Sequence, residues 1–179
     1  MQDTGIVRRI DELGRVVIPK ELRKTLRIRE GDPLEIYTEN ERLIFRKYSP
    51  IASINAHADA VAEGIYDATQ KTCVITDNDE VVTVAGGKGR FDVGESISNE
   101  LERIMKNRKS VTCKKRDGKT IRLFKGERAE DEYQVIVPIV SAGDCYGSVI
   151  VIGNGDGQTE QEDLKLAKLG AAFLSKQFE

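Results

Sequence analysis

The stretch TGIVRRIDELGRVVIPKELRKTLRIR, residues 4–29, puts β-branched runs that favour burial among cations that resist it. From Met1 to Arg29 there are eight basic residues (Arg8, Arg9, Arg15, Lys20, Arg23, Lys24, Arg27 and Arg29) against four acids, a local charge of +4 in a chain of net charge -2. A cationic surface confined to one part of an otherwise acidic protein points to a polyanion, because such a surface steers the encounter and gains from counterion release. Most charge runs are simply solvated faces, so composition alone leaves both readings open.

The spacing carries more. Ile6–Ile10 and Arg15–Ile18 read as the arms of a hairpin closed by Asp11-Glu12-Leu13-Gly14, with Arg8 and Arg9 on one arm and Arg15 on the other. Pro19 suits the first position of a helix over Lys20–Leu26, where Leu22 and Leu26 share a face and Arg23 and Lys24 point away from it. A turn at Glu30-Gly31-Asp32-Pro33, a strand at 34–38, a turn at 39–42 and a strand at 43–47 complete a β-β-α-β-β unit. A unit this small hides too little apolar surface to offset its backbone entropy. Ile6, Val16, Ile18, Leu34, Ile36 and Phe45 therefore need a partner, and an interlocked dimer through residues 1–50 is the simplest source. A two-fold pair would also set two groups of arginines on one side, a surface suited to double-stranded DNA.

Residues 4–48, and the GRVVIP run above all, resemble the DNA-binding domain of the AbrB-type transition-state regulators. The resemblance implies a swapped-hairpin dimer whose hairpin and helix cations contact DNA. Matched position by position, those cations are Arg8, Arg9, Arg15, Arg23 and Lys24. Lys24 supplies charge without the planar two-pronged donor of arginine. Related folds serve as antitoxins, and the long second half argues against a bare antitoxin.

Composition shifts near Ser49-Pro50, which divides the chain into residues 1–50, with 11 Lys and Arg against 9 acids, and residues 51–179, with 17 against 21. In the second part Ile51, Ile54, Ala58, Val61, Ile65 and Ala68 follow heptad spacing and predict a linker helix over 51–69, whose seam serves equally to pair with another chain or to pack on its own domain. Strands at 72–76 and 81–85, a helix at 97–105, strands at 110–113, 120–124, 133–140 and 145–152, and a last helix opened by a Thr159–Glu162 capping box follow. That order predicts an α+β fold with an antiparallel sheet and helices on its faces.

The element order and the closing PIV…GDCYGSVIV hairpin resemble a GAF domain, a sensory fold with its first and last helices together on one face of the sheet. The resemblance implies a small-molecule ligand of unknown identity on the other face, while the heptad spacing of helices 51–69 and 159–178 suggests that they pair dimers into a tetramer. Both parts in this order resemble a transcriptional regulator of endospore-forming bacteria.

Other chemistry finds little footing. Cys73, Cys113 and Cys145 are odd in number and widely spaced, which argues against a disulfide framework or a zinc site, and His57 stands alone. A thiol-dependent GAF-type reductase is the rival function; it needs a low-pKa thiolate within reach of a second thiol, and nothing in the spacing supplies one. Gly86-Gly87-Lys88-Gly89-Arg90 lacks phosphate-loop spacing and reads as a mobile loop, and the basic turn Lys114–Lys119 reads as solvated although it could meet DNA. No run approaches a membrane span and no signal peptide opens the chain, so the expectation is a cytoplasmic non-enzyme without catalytic residues, metal or cofactor.

Overall fold

The computed structural model of the chain describes residues 5–87, 89–125, 133–153 and 160–178. It forms two compact units, residues 1–48 and 49–179.

In the first unit α1 (Lys20–Thr25) follows Pro19, whose φ of -56° already suits a helix start. Strands β1 (Leu34–Glu39) and β2 (Arg42–Lys47) pair antiparallel across Asn40-Glu41. Both turn residues have positive φ (44° and 63°), the geometry that lets a two-residue connection match strand twist. The expected first hairpin is realised only as a turn. Asp11 N–H bonds the Arg15 carbonyl at 3.1 Å and Gly14 N–H bonds the Asp11 carbonyl at 3.0 Å, but 6–10 and 15–18 form no strand ladder. Arms this short have no apolar surface to pack against within one chain, and an isolated two-stranded ribbon is marginal in water.

The second unit is a five-stranded antiparallel sheet in the order β4-β3-β7-β6-β5, built from β3 (Thr72–Thr76), β4 (Val81–Ala85), β5 (Val111–Lys114), β6 (Tyr133–Ser141) and β7 (Asp144–Gly153). Alternation along the strands divides the core. Cys73, Ile75, Val135, Val149 and Val151 face α3 (Asn55–Thr69) and α5 (Glu160–Ser175), which share one side. Val74, Ile136 and Ile150 face the other side, covered by Leu101 and Met105 of α4 (Asn99–Asn107) with Phe91, Ile97, Leu123 and Phe124.

Three expectations change. The helix over 51–69 is two helices, α2 (Pro50–Ser53) and α3, separated at Ile54. Its heptad positions Ile51, Ala58 and Ile65 are spent on the unit's own core, while Ala68 is exposed. The helix expected at 97–105 starts at Asn99, because Ser98 stays extended and its hydroxyl accepts the Leu101 N–H at 3.1 Å. Residues 120–124 are not a strand. The fully buried Gln134 side chain holds them instead, accepting Ile121 N–H at 3.0 Å and donating to the Ile121 carbonyl at 2.9 Å. The amide thus satisfies the backbone pair that a neighbouring strand would have met. Thr159 of the expected capping box lies outside the described residues.

At the start of the 86–90 loop, Gly86 has φ +81° and a Cβ there would meet the Tyr66 ring at 2.6 Å. The glycine is required for the loop's close approach to α3.

Candidate nucleic-acid interface

The first 48 residues expose what a folded unit normally hides. Among the described residues the chain has sixteen large exposed hydrophobics, and thirteen of them lie between Ile6 and Tyr48. Val7 is 85% exposed, Val17 73% and Leu13 75%. Scattered surface apolars are ordinary, but this concentration marks a face made to be covered.

The cations lie among these apolar side chains. Arg8, Arg9, Arg15, Arg23 and Lys24 are all exposed. Arg8, Arg9, Arg23 and Lys24 form no ion pair among the described residues. Other cations of the unit are held by structure. Arg46 Nη2 lies 2.9 Å from Glu35 Oε2, donates to the Tyr37 hydroxyl at 2.6 Å and places its guanidinium 4.9 Å from the Tyr37 ring centroid. Lys47 Nζ lies 3.1 Å from Asp32 and 3.1 Å from the Arg27 carbonyl, tying β2 to the end of α1. The strand cations therefore brace the unit while the turn and helix cations stay available. Sequence spacing did not reveal this division, although the cross-strand positions Glu35 and Arg46 could have signalled one half of it.

Arg15 is the exception among the candidate cations. Its Nε lies 2.6 Å from Asp11 Oδ2, while Asp11 Oδ1 accepts the N–H groups of Leu13 (3.0 Å) and Arg15 (2.8 Å). The Arg15 N–H, then its guanidinium, hold the Asp11 carboxyl below the usual carboxylate range. Asp11 thus closes the turn and aims the arginine, work that the sequence showed only as an acid in a loop.

The rival thiol chemistry is poorly served. Burial pushes the Cys73 thiol up to about 12 and also raises Cys113 and Cys145. Cys73 and Cys113 stand on β3 and β5, with β7 and β6 between them, so two of the thiols are about 14 Å apart at ordinary strand spacing. The sheet face opposite α3 and α5 is filled by the protein's own side chains. Phe91 and Phe124 meet edge to face at 5.3 Å between centroids, and Leu101 and Leu123 are fully buried beside them. No group of three or more metal-ligating side chains occurs among the described residues, nor does any helix long and apolar enough to cross a membrane.

Comparison with known proteins places both units. Residues 53–179 match the family described as stage V sporulation protein T C-terminal, transcription factor, and residues 7–53 match the MazE family of bacterial antitoxins. The chain is 42% identical to stage V sporulation protein T of Bacillus subtilis over 180 aligned residues, covering 100% of this chain and 99% of that one. It is 64% identical to the N-terminal DNA recognition domain of Bacillus subtilis AbrB, which covers 28% of this chain and 94% of that one with a TM-score of 0.25, so the identity carries this likeness. The GAF domain of the nutrient sensor CodY from Clostridium difficile shares the fold of the second unit, with 15% identity, a TM-score of 0.51, and coverage of 71% of this chain and 94% of that one. On the full-length identity and the match over its C-terminal unit, the chain belongs to the stage V sporulation protein T family of transcription factors.

Proposed function

We propose that this regulator of sporulation binds double-stranded DNA through a dimer of its first unit, with Arg8, Arg9, Arg15, Arg23 and Lys24 as the contacting cations. The observation that carries the reading is the set of thirteen exposed hydrophobics interleaved with exposed cations, of which Arg8, Arg9, Arg23 and Lys24 form no ion pair among the described residues. A second copy would cover the apolar residues, supply strand neighbours for 6–10 and 15–18, and double the cationic set on one platform. Such a surface selects DNA by groove shape and deformability as much as by base edges. The same hairpin architecture serves antitoxins, and the match over 7–53 fits that shared dimer rather than a second function.

The second unit's part is assembly. Leu169 and Phe173 of α5 face outward, with His57 of α3 at 6.0 Å from the Phe173 ring, and this face supports pairing of dimers into a tetramer. A small-molecule ligand would enter on the opposite face, displacing Phe91 and Phe124. The protein acts in the cytoplasm and catalyses no reaction.

The test is duplex binding by the full chain against salt concentration. Arg15→Ala and Arg23→Ala should each weaken binding and lower the log-log salt slope by about 0.9, one phosphate contact each. A slope unchanged in both variants would remove these residues from the interface.

A further inference from the structure

A second cationic surface lies in the acidic C-terminal unit. Between Arg103 and Lys125 there are ten Lys and Arg against one Asp, whereas the rest of residues 51–179 carries seven against twenty. The segment runs from the end of α4 through β5, a short helical turn over Lys115–Asp117, and on to the stretch that follows.

Among the described residues β5 is the outermost strand, with β6 on one side and no strand on the other. Arg108 and Lys109 precede it and Lys115, Arg116 and Lys119 follow it, all exposed. Lys115 stands six residue steps beyond Lys109 along the chain, so the strip is about 20 Å long at the usual rise per residue. Along one DNA strand that is about six phosphates at 3.4 Å each.

Few of these charges are spent inside the protein. Lys106 pairs with Glu102 at 2.8 Å, Lys114 pairs with Glu160 at the start of α5, and Arg116 lies 3.9 Å from Asp117. Arg103, Arg108, Lys109, Lys119 and Arg122 form no ion pair among the described residues. An edge strand is often guarded by a lysine or two against pairing with another sheet. Guarding does not require five exposed cations, Arg108, Lys109, Lys115, Arg116 and Lys119, at the two ends of one edge strand, where their mutual repulsion disfavours the fold and an external polyanion relieves it.

We propose that this strip along β5 is a second nucleic-acid contact, binding duplex phosphates without reading sequence. The choice of DNA among polyanions rests on the DNA-binding reading of the first unit: once that unit has bound, nearby duplex reaches a high effective concentration at a surface on the same chain. The strip adds affinity and salt dependence, leaving sequence preference to the first unit.

The experiment compares four full-length proteins on a fluorescent duplex across a salt series: the wild type, a strip variant (Arg108→Gln, Lys109→Gln, Arg116→Gln, Lys119→Gln), a platform variant (Arg8→Gln, Arg9→Gln, Arg15→Gln, Arg23→Gln, Lys24→Gln), and both sets combined. The strip variant should lower the salt slope by roughly two to three units, two to three phosphates at about 0.9 each. The platform variant should keep weak, sequence-blind binding at low salt, and the combined variant should lose it. Lys109→Arg with Lys119→Arg should behave as wild type, which separates charge from fold.

A strip variant with the wild-type slope, together with platform and combined variants that bind alike, would overturn the proposal. A platform variant that binds as wild type would instead sink the reading of the first unit while the strip's own effect stands. Binding of the platform variant to phosphatidylserine vesicles but to no duplex would reassign the strip to a membrane surface. A strip variant of smaller mass by light scattering with an unchanged slope would reassign it to the acidic face of another copy.

Discussion

The most incisive stability test lies where α5 meets the sheet. Asp163, in the first turn of α5 and 1% exposed, accepts from Lys71 Nζ at 2.7 Å and from the Tyr133 hydroxyl. Tyr133 is 2% exposed, the Lys71 side chain is 19% exposed, and Lys71 Nζ lies 5.4 Å from the Tyr133 ring centroid. Gly153 makes this possible, since a Cβ there would overlap the Tyr133 ring. Asp163→Ala strands a largely buried ammonium and a buried hydroxyl. Breaking a buried pair costs about 3–5 kcal/mol, and because Lys71 can swing partly into water the lower end applies, about 3 kcal/mol. In a unit of this size that lowers the melting temperature by about 10 °C. Tyr133→Phe removes one bond and leaves the ion pair, so about 1 kcal/mol is expected. Lys71→Met with Asp163→Leu removes both charges and leaves only the Tyr133 hydroxyl unpaired, so it should cost about 1–3 kcal/mol, less than the sum of the two single changes. Urea midpoints at constant m, read as a double-mutant cycle on the full chain, give the coupling. Burial, the largest single influence, pulls the Lys71 pKa down, but the hydrogen bonds to Asp163 and Tyr133 and their charges together more than offset it and leave the value raised. The contribution is therefore complete below the ordinary lysine pKa and lost as pH rises through the higher folded value, so melts below about pH 10 should not change through Lys71. A loss under about 1 kcal/mol for Asp163→Ala, or a double variant that costs the sum of the singles, would refute the reasoning.

Two further outcomes follow from the same core. Gly147→Ala places a Cβ on the Thr76 carbonyl oxygen beside the irregularity in β3, and backbone cannot yield as a side chain does. It should cost about 3 kcal/mol or more in chemical unfolding, and a near-neutral result would mean the two strands are farther apart than described. Cys73, raised to about 12 by burial, should resist a thiol reagent near pH 8 until the protein unfolds; rapid labelling of all three cysteines in the native state would reopen the reductase reading.

Local pattern alone was enough for the strands at 72–76 and 81–85, for the antiparallel α+β class and for the incompleteness of the first fifty residues. Each depends on periodicity, turn chemistry or the ratio of surface to volume, which neighbours in sequence carry. The basic residues were equally visible, because charge is a property of composition. Tertiary contacts decided the rest. The heptad positions of 51–69 look the same whether they meet another chain or their own sheet, and only packing assigned Ile51, Ala58 and Ile65 to an internal core. Residues 120–124 alternate like a strand, yet the buried Gln134 amide took the backbone pair of Ile121, and Ser98, Glu100 and Ile97 met groups of Arg122, Leu123 and Phe124. The acids Asp11 and Glu35 matter for the same reason: which cations remain available to a polyanion depends on which acids the fold brings within hydrogen-bonding distance, across a turn for Arg15 and across a hairpin for Arg46.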